Sequence, residues 1–379
     1  FLKNNYSLEE PVFNEVSNHI NFFDMPKNSQ HGDLSTNVAM MYSKKLNLNP
    51  RDLAQKIVNA FNDNKKELFI NKIEIAGPGF INFYLNPTIW QLSLREILDN
   101  INDYGYEDVG QGERVNIEYV SANPTGPLHI GHCRGAVIGD VLASLYERMG
   151  YQVTREYYVN DAGGQINQLI SSIRYKIKSF LSINTEEDVL IYNGEYIEII
   201  SKEILQKYSR AVIEDPDCDE IIRQYSIDYI LKLIKNDLKK INIKHDLFYS
   251  EKSLLDSGEI PEAIQILKQK GFVYWGKLEQ PINQENIDVI DREQELFKST
   301  NFGDDIDRAI SKADGTHTYF ASDIAYHNNK IKRGFTKLIN IWGADHAGYV
   351  ARLKGSVKAL TNNDASVEII LCQLVKLFR

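Results

Sequence analysis

The stretch VNIEYVSANPTGPLHIGHCRGAVIGDVLASLYERMGYQVTREYYV, residues 115–159, decides the fold. Its first six residues are mostly apolar, as in a parallel strand that is covered on both faces. A turn rich in proline and glycine follows, and apolar residues then recur at helical spacing from about Gly131 to Gly150. Gly150 is a plausible C-terminal stop for that helix, and residues 151–159 return to a strand pattern. This order predicts a β–α–β unit in a parallel α/β sheet.

Length, composition and charge set broad limits on the function. With 379 residues the chain is long enough for two or three domains, on a prior of about 100–200 residues each. No stretch approaches the roughly 20 consecutive apolar residues of a membrane span, so no membrane partner is expected. The three cysteines lie far apart and lack C-x-x-C spacing, which argues against both a zinc site and a disulfide framework and favours a reducing cytoplasm. The net charge of −9 does not indicate a nucleic-acid binder, although a local basic stripe could still contact phosphates.

The rest of the sequence divides around the β–α–β unit. Residues 1–105 predict a separate small α+β domain, with a helix over residues 51–61 and a strand pair at residues 73–85 that bends at Gly-Pro-Gly. Residues 165 to about 300 are dominated by helical patterns and predict a helical insertion rather than a continuation of the sheet. The second domain is expected to cover residues 112–379.

Alternation of strands and helices resumes after the insertion. Residues 316–321 are strand-like and follow an Asp314-Gly315 turn, which is a hairpin signal. Residues 322–334 then predict a helix, residues 337–343 a strand and residues 348–360 a second helix.

Two histidines, His129 and His132, flank a glycine at the start of the first helix. Three residues apart, they share one helix face, and Gly131 lets a ligand approach the backbone closely. A helix that follows a parallel strand offers free N–H groups and a dipole that favour phosphate, and imidazoles there could stabilise charge during transfer at a nucleotide α-phosphorus. Ordinary capping or core histidines are the alternative. A metal site is a second alternative, but no cysteine or glutamate nearby completes a ligand set.

The strand, the Pro-Thr-Gly-Pro turn, the His-Ile-Gly-His sequence and the helix occur in the order that a nucleotide site requires. Here the sequence resembles the class I aminoacyl-tRNA synthetases, whose ATP-binding signature is His-Ile-Gly-His. The longer match over residues 118–140 is similar to the arginyl-tRNA synthetases in particular. Further stretches agree with that family in the same order: residues 31–39, 76–85, 157–166, 300–308, 314–327 and 342–354. The resemblance covers nearly the whole chain and implies a Rossmann-like catalytic domain, with the N-terminal domain contacting tRNA.

The resemblance also implies a two-step reaction. The carboxylate of L-arginine attacks the α-phosphate of Mg²⁺-ATP to give arginyl-adenylate and pyrophosphate, and the arginyl group then passes to the terminal adenosine of tRNA(Arg). His129 and His132 are the implied catalytic residues. The implied ATP-binding residues are His129, Gly131, His132, Gly343, Asp345 and His346. ATP and Mg²⁺ are therefore the expected cofactors, without protein metal ligands, and a monomer is the expected state.

An arginine site needs carboxylates, because a guanidinium is a planar fork of donors that a carboxylate satisfies with two parallel hydrogen bonds. Tyr319 and Asp323 lie four residues apart at the start of a predicted helix and could face one pocket. Glu118 sits on the strand that enters the turn, with Ser121 and Asn123 just beyond it. The resemblance implies that Asp323, Tyr319 and Glu118 hold the guanidinium. It assigns Ser121 and Asn123 to the α-amino end. Without the resemblance, Asp323 would be interpreted as a charge at a helix N-terminus, and Glu118 as a surface residue of a strand.

Two other groups of charged residues leave alternatives open. The acidic cluster of residues 304–307 could bind Mg²⁺, but a structural loop with Arg308 as its internal partner is favoured. The basic run at residues 330–333 and the lysines of residues 239–244 could contact phosphates, but a solvated helix face is favoured for each.

Two parts of the family pattern are absent from the sequence. A Lys-Met-Ser-Lys-like loop would be expected to follow residues 369–379, and no compensating lysine occurs among residues 125–128. The helical anticodon-binding domain is not found either, so a C-terminally truncated chain of weak activity is expected. Two rival functions remain. A small-metabolite nucleotidyltransferase would not need the N-terminal domain, and a non-catalytic RNA-binding relative would be expected to lose the histidines.

Overall fold

The computed structural model describes residues 23–62, 69–184, 188–278, 293–312, 314–373 and 375. The chain divides into two compact units, Phe1–Gly105 and Tyr106–Arg379. Parts of the predicted insertion, at residues 185–187 and 279–292, lie outside the described residues, as does most of the stretch from residue 374 to the last residue.

The first unit is a small antiparallel sheet covered by helices. Its described elements, in chain order, are β1 (Leu34–Thr36), α1 (Val38–Ser43), α2 (Pro50–Asn62), β2 (Ile70–Ala76), β3 (Phe80–Leu85) and α3 (Thr88–Asp99). β2 and β3 pair antiparallel across the Gly-Pro-Gly bend, and β1 pairs with the other edge of β3. Because α2 presents apolar side chains every three to four residues, it buries one face against the sheet. The predicted helix and strand pair of this region are confirmed.

The second unit contains the β–α–β stretch from which the fold was predicted. Its described elements, in chain order, are β4 (Arg114–Glu118), α4 (Ile130–Arg148), β5 (Gln152–Val159), α5 (Gly164–Phe180), α6 (Glu195–Tyr208), α7 (Ala211–Glu214), α8 (Cys218–Lys240), β6 (Leu247–Ser250), α9 (Glu251–Asp256), α10 (Glu259–Gln269), β7 (Val273–Gly276), β8 (Gln294–Phe297), β9 (Arg308–Ala309), α11 (Tyr319–Lys332), β10 (Lys337–Gly343), α12 (Val350–Thr361) and β11 (Ser366–Cys372).

A parallel sheet of five described strands, in the order β11-β10-β4-β5-β6, forms the centre of this unit. The central strand β4 has Val115 and Ile117 fully buried, as expected for a strand covered on both faces. From β4 the chain continues to β5 and β6 on one side, and β10 and β11 lie on the other side. In an open α/β sheet, such a change of direction leaves a crevice at the carboxyl ends of the strands, where ligands bind. The predicted α/β fold with a parallel sheet is confirmed.

Two sequence-based expectations were wrong in detail. Residues Leu247–Ser250 fall inside the predicted insertion, yet they form β6 and extend the sheet by pairing with β5, so the helical insertion comprises α5 to α8. Residues 316–321 are not a strand, because Thr318 caps the N-terminus of α11, with its side chain accepting a hydrogen bond from the Ala321 amide. Threonine is favoured both in strands and at helix N-caps, and at this position it forms the N-cap. A tight turn is present before it, closed by the Lys312 amide on the Thr316 carbonyl.

Helix α4 packs on the sheet through its small residues. Ala136, Gly139 and Ala143 are buried, whereas the large apolar side chains that indicated the helix include several that are exposed: Val137, Val141 and Leu145. A Cβ atom at Gly139 would lie 2.2 Å from Cγ of the fully buried Tyr119. The close approach of helix and strand therefore requires glycine at this position.

The substitution Gly139→Ala is expected to destabilise the protein, because the Tyr119 ring has no space into which it could move. Overpacking of this kind typically costs about 1–3 kcal/mol in the free energy of unfolding. Gly135→Ala on the same helix is the matched control, since its Cβ would meet only Ile341 Cγ2 at 3.8 Å. Urea unfolding measures both variants, and equal stability of the two would contradict the packing described here.

Candidate active site

A cavity of about 790 Å³ opens at the carboxyl ends of the parallel strands. Each strand of the sheet supplies a residue at or just beyond its end: Val120 follows β4, Asn160 follows β5, Glu251 follows β6, Gly343 ends β10 and Cys372 ends β11. Every site residue predicted from the sequence lines this one cavity: Glu118, Ser121, Asn123, His129, Gly131, His132, Tyr319, Asp323, Gly343, Asp345 and His346. The topology thus brings together residues that are more than 200 positions apart in the chain.

The two histidines form a hydrogen-bonded cap on α4. His129 is the N-cap residue, and the two imidazole rings stack with centroids 3.9 Å apart. Nδ1 of His129 accepts from the Gly131 amide at 3.1 Å, and Nδ1 of His132 accepts from the His129 amide at 3.2 Å. With both Nδ1 atoms acting as acceptors, each neutral ring carries its proton on Nε2. Burial, with His129 close by, lowers the pKa of His132, so this ring is neutral near pH 7. Nε2–H donors at a helix N-terminus suit an anionic ligand.

Gly131 is required by the geometry of this cap. A Cβ atom at residue 131 would lie 2.8 Å from Cε1 and 2.9 Å from Nδ1 of the His129 ring. Alanine would therefore displace His129 or break its bond to the backbone. The close approach of a ligand to Gly131 stays a prediction.

The loop after β4 is strained and tightly held. Val120 and Ser121 have φ angles of 70° and 38°, in the left-handed region that a β-branched residue rarely adopts. Asn123, two residues on, is fixed on both sides of its amide. Its Oδ1 accepts from Asn160 Nδ2 at 3.1 Å, and its Nδ2 donates to Gln165 Oε1 at 2.7 Å.

The acidic end of the cavity is formed by Asp323 on α11. Tyr349 donates a hydrogen bond to Asp323 Oδ2 at 2.6 Å, which fixes the carboxylate. Burial raises the pKa of Asp323 to about 7, and the negative charge of Glu118 adds to the effect. Tyr319, one turn earlier on α11, is 66% exposed and forms part of the rim.

Glu251 is a second acidic residue of the cavity, and the sequence analysis missed it. Its side chain is almost fully buried, and its Oε2 atom lacks a hydrogen bond of good geometry to the described residues, although the nearby Tyr158 hydroxyl lowers its pKa. Burial, together with the charges of Asp323 and Asp161, raises the pKa of Glu251 to about 7. A buried carboxylate with an unpaired oxygen, beside a second carboxylate, is costly unless a cationic donor binds there.

The part of the rim that follows β10 carries exposed polar groups. β10 ends at Gly343, and a short 3-10 turn at Ala344–Tyr349 follows it. Asp345 and His346 in this turn are both exposed, with Oδ2 and Nε2 3.5 Å apart. Accessible donors and acceptors of this kind suit a ligand that carries hydroxyl groups.

The basic run at residues 330–333 is not a solvated face. Lys330 is fully buried, and all three cations of the run form ion pairs with glutamates of distant elements. For Lys330, Lys332 and Arg333 the partners are, in that order, Glu118, Glu262 and Glu156. Lys330 bonds to Oε2 of Glu118 at 2.7 Å, while Ser121 Oγ donates to Oε1 at 3.1 Å. Both oxygens of Glu118 are therefore engaged inside the protein.

The acidic cluster at residues 304–307 is internally paired. Arg308 donates to both oxygens of Asp304 at 2.8 Å, and Asp307 accepts from the amide and hydroxyl of Thr300. This agrees with a structural loop. Within the described residues, no group of three His, Cys, Asp or Glu side chains is arranged to hold a metal ion. None of the helices in the described part of the chain is both long and apolar enough to cross a membrane.

Comparison with known families gives two matches. The family of the class I (R) tRNA synthetase catalytic domain matches residues 93–351, and the arginyl tRNA synthetase N-terminal domain matches residues 10–85. Together the two matches span both units of the structure.

Individual relatives agree with the family matches. The chain is 46% identical over 355 residues to the arginine–tRNA ligase of Wolbachia pipientis wMel, and 44% identical over 358 residues to that of Parvibaculum lavamentivorans. Each alignment covers 93% of this chain, and the chain spans 61% of each relative's length. The crystal structure of Thermus thermophilus arginyl-tRNA synthetase superposes with a TM-score of 0.63 at 16% identity, covering 96% of this chain and 65% of that one, which shows a shared fold.

Proposed function

The chain belongs to the class I arginyl-tRNA synthetase family, and from this premise we propose that it activates L-arginine with ATP and transfers it to tRNA(Arg). The observation that carries the proposal is the polarity of a single cavity. One end holds the carboxylates of Asp323 and Glu251, and the other holds His129 and His132 on a helix N-terminus. A cationic side chain and a triphosphate can thus be bound side by side.

The histidine end is the proposed ATP site. The N-terminus of α4 faces the triphosphate, and the Nε2–H groups of His129 and His132 donate to its oxygens. Gly131 leaves the backbone accessible to the adenine, and Gly343, Asp345 and His346, at the end of the neighbouring strand β10, bind the ribose and adenosine. Mg²⁺ enters as the ion of the Mg²⁺-ATP substrate, bound by the phosphates.

The first chemical step is a displacement at the α-phosphorus. A carboxylate oxygen of arginine forms the new P–O bond, the bond to the bridging oxygen breaks, and pyrophosphate leaves with the electron pair. Negative charge builds up on the phosphoryl oxygens, where Nε2–H donors on the two histidines and the dipole of α4 stabilise it. These residues act by position and electrostatics and exchange no proton in this step.

The acidic end is the proposed arginine site. Asp323, held by Tyr349, accepts two parallel hydrogen bonds from the guanidinium, and Glu251 and Tyr319 bind its remaining edge. Asn123, which is exposed at the cavity, holds the α-amino end of the substrate through the second lone pair of its Oδ1. Glu118 is buried and ion-paired with Lys330, and the Ser121 hydroxyl both donates and accepts inside the protein, so we assign these two residues a supporting role in place of direct contact.

The remaining proposals concern the surroundings of the reaction. The N-terminal unit contacts tRNA(Arg), the protein acts as a monomer, and its location is the cytoplasm. The three cysteines are all unpaired, which supports a reducing compartment.

Gly131→Ala is expected to weaken ATP binding about tenfold, because it moves an imidazole that donates to a charged ligand, and such hydrogen bonds contribute about 1.5–3 kcal/mol. Arginine affinity and the melting temperature should stay near those of the unmodified protein, since the added methyl group meets only the His129 ring. Calorimetric titration with ATP and with arginine measures both affinities. Unchanged ATP affinity would remove His129 from the site.

The proposed function is tested by titrating arginine and, in parallel, citrulline. The two molecules have nearly the same shape, but citrulline is neutral and has a carbonyl oxygen in place of one donor group. A pocket built on carboxylates should bind arginine and reject citrulline by a factor of about 10⁴, because its acceptors would face an acceptor. Equal binding of both, or none of either, would overturn the arginine assignment and favour a nucleotidyltransferase acting on another metabolite.

A further inference from the structure

A chain of buried hydrogen bonds joins the acidic end of the cavity to the strained loop. We call the side chains of His327, Asn340, Lys330, Glu118 and Ser121 the buried polar chain. His327 Nδ1 donates to the Asp323 carbonyl at 2.8 Å, and its Nε2 accepts from Asn340 Nδ2 at 2.9 Å. Burial lowers the pKa of His327 to about 3, so the ring is neutral and these two roles are fixed.

Lys330 is the central member of the buried polar chain. Its ammonium donates to Glu118 Oε2 at 2.7 Å and, at 3.4 Å, to Asn340 Oδ1, and it lies 4.4 Å from the Tyr326 ring centroid. The side chain is fully buried and does not line the cavity. A substrate therefore cannot touch Lys330, and this residue acts on binding through its hydrogen-bonded neighbours and through its charge, which lowers the pKa of Asp323.

The chain ends at the strained loop. Ser121 Oγ donates to Glu118 Oε1 at 3.1 Å and accepts from the Tyr158 amide at 3.0 Å. These two bonds tie residue 121 to both β4 and β5 while Val120 and Ser121 are held at positive φ. Such conformations are strained and persist only when the surroundings fix them. Without the Glu118 anchor, the loop that carries Asn123 would relax.

We propose that Lys330 is a positioning residue for the amino acid: through Glu118 it holds Ser121 and the Asn123 loop at the distance from Asp323 that an arginine molecule requires. Lys330 and Asp323 lie on the same helix, α11, and Glu118 lies on β4, so the ion pair connects the two elements that grip the opposite ends of the substrate. This inference rests on the proposed function, in which Asp323 binds the guanidinium and Asn123 the α-amino end.

The test is Lys330→Met, which keeps the unbranched chain up to the ε position and removes the charge. Arginine affinity should fall about tenfold or more, since the relaxed loop would withdraw Asn123 from the charged α-amino group of the substrate. ATP affinity should remain unchanged. The matched control is Arg333→Met on the same helix, which breaks an ion pair with the buried Glu156 but has no bond to the loop. Both variants should lower the melting temperature, because each breaks a buried ion pair. Only Lys330→Met should lower the affinity for arginine.

Hydrogen–deuterium exchange gives a second measurement that does not depend on substrate. The Tyr158 amide, which donates to Ser121 Oγ, should exchange faster in Lys330→Met and remain protected in Arg333→Met. If Lys330→Met does not fold, the double variant Glu118→Gln/Lys330→Met removes both buried charges together. Because Glu118 also lines the cavity, the exchange of the Tyr158 amide is the decisive measurement for this variant, and it should be faster than in the unmodified protein.

The outcomes separate this inference from the function on which it rests. If the unmodified protein binds no arginine, the proposed function fails. If it binds arginine and Lys330→Met, or the double variant in its place, binds it equally well, the positioning role is overturned while the function stands. An equal loss of arginine affinity in Arg333→Met would also overturn it, because the effect would then be one of general destabilisation.

Discussion

Asp323→Asn should abolish most of the arginine affinity. The substitution keeps the size of the side chain and the bond from Tyr349, but it replaces one carboxylate oxygen by an amide that points donors at a guanidinium. Breaking a buried hydrogen-bonded charge pair costs about 2–5 kcal/mol, which corresponds to roughly a thirtyfold to several-thousandfold loss. Calorimetric titration with arginine measures this loss.

Asp345→Asn is the reciprocal control for that prediction. Asp345 lines the same cavity but lies in the turn assigned to the ribose. Its substitution should weaken the binding of ATP and leave the affinity for arginine unchanged. Asp323→Asn should weaken the binding of arginine and leave the affinity for ATP unchanged. Asp323→Asn with full arginine affinity would show that the guanidinium binds elsewhere.

Arginine binding should also depend strongly on pH. In the empty cavity the pKa values of Asp323 and Glu251 are both raised to about 7, mainly by burial. A cationic ligand binds the ionised carboxylates, so affinity is full above about pH 8 and falls as the pH drops through 7. Between pH 8 and pH 6 the loss should be about tenfold for each carboxylate that titrates. Titrations in buffers of different ionisation enthalpy should also show proton release on binding at pH 7.

Glu251→Gln provides the control for the pH dependence. It removes one titrating group and the negative charge that opposes ionisation nearby, so the remaining fall in affinity should be shallower. ATP binding, whose site lacks these two groups, should not follow the same profile. Arginine affinity that is constant from pH 6 to pH 8 would contradict the environment described for the two carboxylates.

The fold was largely predictable from the sequence because its signals are local. The apolar run at β4, the glycine-containing turn and the spacing along α4 lie within one continuous stretch, and each follows from propensity and period. The His129 and His132 site depends on the same stretch and was predicted with it. The face of α4 that packs on the sheet could not be predicted in this way. The small residues Gly139 and Ala143 give no sign of burial until the strand beneath them is known.

Glu251 and Lys330 show why the rest could not be predicted. Glu251 lies within a region of helical patterns, and only the pairing of β6 with β5 brings the residue after β6 to the cavity. Lys330 belongs to a run of charges that is typical of a solvated helix, but its partner Glu118 is 212 positions away in the chain. Charge and spacing describe a side chain's neighbours along the sequence, whereas both roles depend on partners set by the sheet order.

The most direct test of the central claim uses arginyl-sulfamoyladenosine, in which a sulfamate replaces the phosphate of the arginyl-adenylate. The claim is that the acidic end and the histidine end form one reaction site. This molecule should then bind at least about 100-fold more tightly than arginine, because it engages both ends at once and resembles the reaction intermediate. Asp323→Asn and His132→Ala should each weaken the binding of this molecule. The claim would be contradicted if the sulfamoyl analogue bound no more tightly than arginine, or if neither substitution changed its affinity.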